Sequence, residues 1–278
     1  MPDGAGTLVV CATPIGNLGD VTLRVLDALR MADMIAAEDT RVTRKLLARY
    51  ELHTPLEAYH AHNLGEKTPL LVERLQRGER IALVSDAGTP GISDPGAHLV
   101  DACLDAGVRV DVLPGASAIV TALVASGLPT YAFYFGGFLP RKAGERARAL
   151  AKLADLDATL VFYESPGRTP ATLASLAEAF AGRRAALARE LTKLHEEVAR
   201  AEVSELAAAF AERELKGEVV LLVGPPEAPA QLTFDEDAIR AAVEERVAGG
   251  ASRRDAVREV ASAFGMSKQA VYELAHRP

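Results

Sequence analysis

The residues of this chain best suited to chemistry sit in loops dense in glycine and proline. Residues 13–20 read TPIGNLGD, residues 85–96 read SDAGTPGISDPG, and residues 114–118 read PGASA. Such runs hold the backbone in fixed, irregular dihedrals and let it approach a ligand closely. A second group is acidic: Glu38 beside Asp39, Glu164 in FYESP, and Glu190, Glu196 and Glu197 in RELTKLHEE, where Lys193 also stands. Carboxylates of this kind can take a proton from a hydroxyl nucleophile, and a lysine can lower the hydroxyl's pKa or hold a phosphate. The plain alternative for Glu38 and Asp39 is capping of a helix that begins near Thr40, and for Asp86 capping of its own turn. His60 and His62 lack an acidic or cysteine partner at ligand spacing. His195-Glu196-Glu197 lacks the second histidine of a zinc-protease helix, so no metal site is expected.

Cations cluster in two runs. Arg41, Arg44, Lys45 and Arg49 fall at helical spacing with no acid among them, and Arg141, Lys142, Arg146, Arg148 and Lys152 are opposed only by Glu145. Both runs follow strand ends and suit phosphate contacts, with a solvated helix face as the alternative. The whole chain of 278 residues carries a formal net charge of −7, which excludes indiscriminate coating of nucleic acid. Trp is absent and aromatics are 5%, which argues against many stacked aromatic platforms. Two cysteines, Cys11 and Cys103, are too few for a disulfide framework, so a cytoplasmic protein is expected. No apolar run is long enough to span a bilayer and no basic-then-apolar leader is visible, so no membrane partner is expected.

These loops need elements to position them. Apolar runs at residues 7–12, 34–37, 81–85 and 108–113 read as buried strands, alternating with helical patterns at 21–31, 41–50, 94–106 and 116–126, which implies βαβ units and a mostly parallel sheet. In an open α/β sheet, ligands bind at the carboxyl ends of the strands, where the three loops fall. Strands at 131–137, 159–164 and 185–190, with helices at 141–154 and 169–180, suggest a second α/β domain. There residues 195–201 are expected to pair with 218–223 around a helix at 204–215. Residues 224–230 (GPPEAPA) read as a linker. Helices at 235–247, 252–264 and 267–275 follow, the last two forming a helix-turn-helix outline with serine caps. The expected fold is therefore α/β, with domains at 1–128 and 129–224, a linker at 225–232, and a small helical domain at 233–278.

The loops are not the common nucleotide motifs. G-x-G-x-x-G does not follow the first strand, and neither a P-loop nor a G-x-S-x-G elbow exists. The strings LVVCATPIGNLGD (8–20), AEDTRVTR (37–44), VSDAGTPGISDPG (84–96), LPGASA (113–118), FYESP (162–166) and RELTKLHEE (189–197) resemble the tetrapyrrole methylase superfamily. Within it they are similar to the branch that methylates the ribose 2′-hydroxyl of a decoding-site cytidine in 16S ribosomal RNA. The resemblance implies two α/β domains with S-adenosylmethionine in the cleft between them, S-adenosylhomocysteine as product, a homodimer, and the small ribosomal subunit as partner. Carried onto this chain, the implied cofactor residues are Pro14, Gly16, Asp86, Ala87, Gly88, Thr89, Pro90, Gly91, Ser117, Ala118 and Tyr163. For the acceptor, Glu38, Asp39 and Lys193 are the catalytic candidates, and Arg41, Arg44, Lys45, Arg141 and Lys142 the RNA-binding ones. The chain departs from the family's usual pattern at Leu64, Gly167, His195 and Ala201, where an acid, a histidine, an aromatic and a glycine are common.

Two other readings stand beside this one. The same fold could methylate carbon in a corrin or porphyrin precursor. Alternatively, the α/β part could sense S-adenosylmethionine while the helix at 267–275 reads DNA, although one Lys, one Gln and one Ser are a thin set for base edges.

Overall fold

Strands form where the apolar runs are continuous. In the computed structural model, which describes residues 6–226, 236–264 and 266–276, five strands make a first sheet. They are β1 (Thr7–Cys11), β2 (Met34–Ala37), β3 (Leu56–Ala58), β4 (Arg80–Val84) and β5 (Arg109–Leu113), in the order β3-β2-β4-β1-β5. All pairings are parallel, so the five carboxyl ends share one edge. β1, β2 and β4 lie inside the sheet, buried on both faces, and so read as unbroken apolar runs. Helices α1 (Leu23–Met31) and α2 (Thr40–Arg49) cover one face, and α3 (Leu64–Gln76) and α4 (Gly96–Asp105) the other. The Thr22 hydroxyl caps α1 by accepting from the Val25 N–H at 3.2 Å. β3 and α3 fall where the sequence suggests no element: β3 is three half-buried residues, and α3 carries an internal Pro69.

The second sheet is mixed. β6 (Phe133–Phe138), β7 (Thr159–Glu164), β8 (Arg184–Arg189), β9 (Glu197–Glu202) and β10 (Val219–Val223) are ordered β6-β7-β10-β8-β9. The expected pairing of residues 195–201 with 218–223 is not found. β9 pairs with β8, while β10 enters between β7 and β8. Burial explains the choice: β10 is apolar throughout and fully buried, whereas β9 (EVARAE) is charged and half-exposed, fit only for an edge. α6 (Ala143–Ala151), α7 (Thr169–Ala179) and α8 (Val203–Phe210) cover one face. The opposite face is covered by α5 (Ala118–Ser126), which leaves the first sheet after β5. Its Ala122 and Leu123 pack on Val161, Ala186, Ala188, Val220 and Leu222, and Gly127, at φ 68°, ends it in the left-handed region.

Residues 1–226 and 227–278 are separate compact units. In the second, α9 (Glu236–Ala248), α10 (Arg253–Ala263) and α11 (Lys268–His276) enclose their own core of Ile239, Val243, Ala256, Val257, Val260 and Val271. The linker expected at 225–232 lies outside the described residues from 227 onward, as does Gly265. Among the described residues no helix is long and apolar enough to cross a membrane.

Candidate active site

The loops at the shared edge of the first sheet are stitched together. Thr13 and Gly88 exchange main-chain hydrogen bonds of 2.8 and 3.0 Å, and the Thr13 hydroxyl donates to the Ser85 carbonyl at 3.1 Å. Gly88 stands at φ +76°, where a side chain would be strained. Carboxylates tie the loop after β4 to the loop after β2: Asp86 accepts from the Asp39 N–H at 2.9 Å, and Glu38 accepts from the Asp86 N–H at 3.4 Å. Asp94 folds the remaining loop, which carries Thr89, Pro90 and Gly91, by accepting from the N–H groups of Gly91 (2.8 Å) and Gly96 (2.7 Å).

The second sheet meets this edge because β10 runs antiparallel to β7 and β8. Its Val219 lies opposite Glu164 and Arg189, which brings Glu218 beside the ends of both strands. The loops of the two sheets touch at Gly16, where a Cβ would lie 2.6 Å from Lys193 Cγ and 2.9 Å from the Leu191 carbonyl. Close approach at Gly16 therefore serves the meeting of two loops. The Asn17 N–H donates to the Thr192 hydroxyl at 3.0 Å, Thr192 N–H donates to Glu196 at 2.6 Å, and Lys193 Nζ donates to Glu190 at 2.6 Å. These bonds hold Glu190 (φ 51°) and Thr192 (φ 67°) in a left-handed conformation that a β-branched residue adopts only under constraint.

Two cavities of about 430 Å³ each open here and share Ser85, Asp86, Ala87 and Glu218 as a wall. Pro14, Gly16, Lys45 and Lys193 line the first. Glu38, Ile92, Asp94, Phe138, Tyr163 and Glu164 line the second, with no lysine or arginine. Tyr163 meets Phe135 edge-on (centroids 4.9 Å) and Phe138 at a tilt (5.7 Å). Ser117 and Ala118 line neither cavity; Ser117 caps α5 by accepting from the Val120 N–H at 3.5 Å. Sequence reasoning missed Ile92, Phe138 and Glu218. Ile92 lies within the singled-out loop 85–96 without having been named, the Gly136-Gly137 pair precedes Phe138, and nothing marked Glu218.

The acids differ in their electrostatics. Burial raises Glu38 above its ordinary pKa, reinforced by the Asp86 charge, and burial also raises Asp86. Neither has an ion-pair partner among the described residues. Asp39 caps α2 and pairs with Arg41 at 2.6 Å, and these hydrogen bonds from Arg41 hold it at about 2. Burial pulls Lys193 down, but the Glu190 hydrogen bond and the Glu218 and Glu190 charges outweigh it, so its pKa lies above the ordinary value. Glu164 is fully buried and fastens α7, accepting from Ser165 N–H and the Thr172 hydroxyl, both at 2.7 Å, and pairing with Arg168 at 3.1 Å. Glu197 pairs with Arg189 and Arg213.

Of the cations, Arg44 and Lys45 are exposed and have no ion pair among the described residues, Arg41 is held by Asp39, Arg141 is exposed, and Lys142 pairs with Glu145 at 3.1 Å. Arg146 does not belong to a solvated basic face. It is buried, donating to Ser175 Oγ at 2.9 Å and to the carbonyls of Arg141 (3.2 Å), Pro140 and Ala171 (both 3.4 Å), and so joins α6 to α7. Among the described residues no His, Cys, Asp and Glu group could hold a metal. In the helical unit, Arg253 pairs with Glu244, Arg258 pairs with Asp255, and Gln269 donates to Glu273, which leaves few free groups for a nucleic acid.

Residues 7–207 match the family model described as Tetrapyrrole (Corrin/Porphyrin) Methylases. Over 95% of its length the chain is 48% identical to a ribosomal RNA small subunit methyltransferase I of Mesorhizobium japonicum, covering 90% of that protein. It is 43% identical to the protein of the same description from Halalkalibacterium halodurans, covering 99% of this chain and 96% of the relative. Among solved structures, a cobalt precorrin-4 methyltransferase superposes with a TM-score of 0.61 at 18% identity, covering 81% of this chain and 97% of that one. The uroporphyrin-III C-methyl transferase of Thermus thermophilus, complexed with S-adenyl homocysteine, gives 0.57 at 20% identity, with 80% and 97% covered. The fold described above is that of these structures.

Proposed function

Because the chain belongs to the tetrapyrrole (corrin/porphyrin) methylase family, and within it to the ribosomal RNA small subunit methyltransferase I group, we propose that it methylates the ribose 2′-hydroxyl of a decoding-site cytidine in 16S ribosomal RNA, in the cytoplasm and as a homodimer. The observation that carries this reading is the division of charge between the two cavities. The aromatic, carboxylate-lined cavity suits a cation with a flat ring system, which describes S-adenosylmethionine. The neighbouring cavity, with Lys45 and Lys193 and with free Arg44 on the same helix as Lys45, suits an extended polyanion.

Asp86 and Ala87, which wall both cavities, would hold the cofactor from the first sheet, and Tyr163 would close its adenosyl end from the second; Pro14 and Gly16 line the neighbouring cavity instead. Bound there, the cofactor supplies an electrophilic methyl group on a sulfonium. The chain's residues then align the acceptor and receive its proton. Glu38 is the acceptor of choice, since it is partly desolvated, has no ion-pair partner among the described residues, and lines the second cavity with its carboxylate on the N–H of Asp86, a residue of the shared wall. Asp39, already engaged by Arg41, positions α2 instead. Lys193 stays protonated with its ammonium shared between Glu190 and Glu218, so Lys45 is the anion-holding group of that cavity.

The test uses methyl-labelled S-adenosylmethionine with undermethylated small subunits, followed by digestion to nucleosides and mass identification. Label in 2′-O-methylcytidine is the expected result. Cofactor binding without label in RNA would overturn the assignment.

A further inference from the structure

We propose that the edge of the second sheet at β6 is a stacking platform on which unpaired bases of the RNA flanking the target lie; the proposal rests on the RNA reading above. Five of the fourteen Phe and Tyr residues of the chain fall within residues 131–138, so a composition poor in aromatics conceals a local concentration. β6 is an edge strand.

Its register decides which way the rings face. Phe133 lies opposite Thr159, Phe135 opposite Val161 and Phe138 opposite Tyr163, so β6 spends three residues where β7 spends two. This is a one-residue bulge at Gly136-Gly137. In a regular strand Phe135 and Phe138 would point to opposite faces; the bulge returns Phe138 to the face of Phe133, Phe135 and Tyr163. The two glycines are required by the geometry. A Cβ on Gly136 would come within 2.5 Å of the Phe162 ring, and Gly137 stands at φ +61°.

The result is an aromatic row along one face, about 17 Å long at the strand rise. Phe135 is packed beneath Tyr163, whereas Phe133 (47% exposed) and Phe138 (56% exposed) present their rings to solvent. The row is continuous with the candidate site, because Phe138 lines the aromatic cavity. Exposed Arg141 follows three residues beyond it. Rings that accept any base beside a free guanidinium that accepts phosphate are the chemistry of single-stranded nucleic acid.

The experiment measures fluorescence anisotropy of the full chain with a labelled single-stranded RNA of the decoding-site sequence and with the same strand in a duplex. Phe133→Ala, Phe138→Ala and Phe138→Trp are compared with the parent, with cofactor affinity and mass by light scattering recorded for each. Expected are tighter binding of the single strand, about a tenfold loss for each alanine variant, recovery in Phe138→Trp, and unchanged cofactor affinity for Phe133→Ala. Equal RNA affinity in alanine variants that still bind cofactor overturns the platform while leaving the RNA assignment standing. So does a loss of mass without loss of RNA affinity, which would assign the row to a second copy of the chain. Failure of the parent to bind or label any RNA overturns both.

Discussion

Glu38 and Asp39 are neighbours in sequence with divergent chemistry, and the difference comes from what each faces. Asp39 turns outward onto the α2 N-terminus and Arg41, which hold its charge in place. Glu38 turns toward the cavity wall, where burial raises its proton affinity and no cation offsets it. In the proposed role of proton acceptor, the reactive form of Glu38 is the carboxylate, present above its pKa. Turnover should therefore rise with pH through a pKa above the ordinary carboxylate range and fall away below it. Glu38→Gln should remove that acidic limb and lower turnover by about 10²- to 10⁴-fold, with cofactor affinity changed only severalfold. A limb that survives in the variant assigns the proton to another group. The sequence showed both acids and both readings, base and cap. It did not show which acid did which, because side-chain direction at a strand end depends on the loops that pack there.

Elements explain what else was legible. The parallel first sheet announces itself through unbroken apolar runs, and the loops at its carboxyl edge follow from topology. The second sheet is less readable, because β10 crosses half the domain to reach its central position and β9 is left at the edge. The aromatic row was hidden for a similar reason: period-two reading of residues 131–137 cannot reveal a bulge. The basic helix α6 misled in a different way, since one of its arginines points inward. Arg146→Met should lower stability by about 2–3 kcal/mol in denaturant unfolding, because it removes several hydrogen bonds of a buried charged group, while RNA affinity of the folded protein stays unchanged. At Gly16, a methyl group would push the loop after β1 off Leu191 and Lys193. Gly16→Ala should cost about 1–3 kcal/mol, which thermal unfolding checks.

For the whole molecule, a net charge of −7 and the proposed polyanionic substrate are reconciled by placement. Long-range repulsion discourages random contact with RNA, and a few unpaired cations beside the cavities give short-range attraction. Arg44 and Lys45 are the test. Replacing both with alanine should reduce the slope of log affinity against log salt by about 1.4 for a single strand; an unchanged slope would place the phosphates elsewhere.

The path of α5 bears on how the molecule is made. Synthesised directly after the last strand of the first sheet, it has no partner there and must wait for β8 and β10. At ribosomal speeds of about 5–20 residues per second, an apolar helix stays uncovered for several seconds while the residues from 127 to the end of β10 at Val223 emerge. The first sheet, whose two faces are covered by α1 to α4, can be completed before α5 emerges, and the growing chain then carries an uncovered apolar segment until β10 has been made.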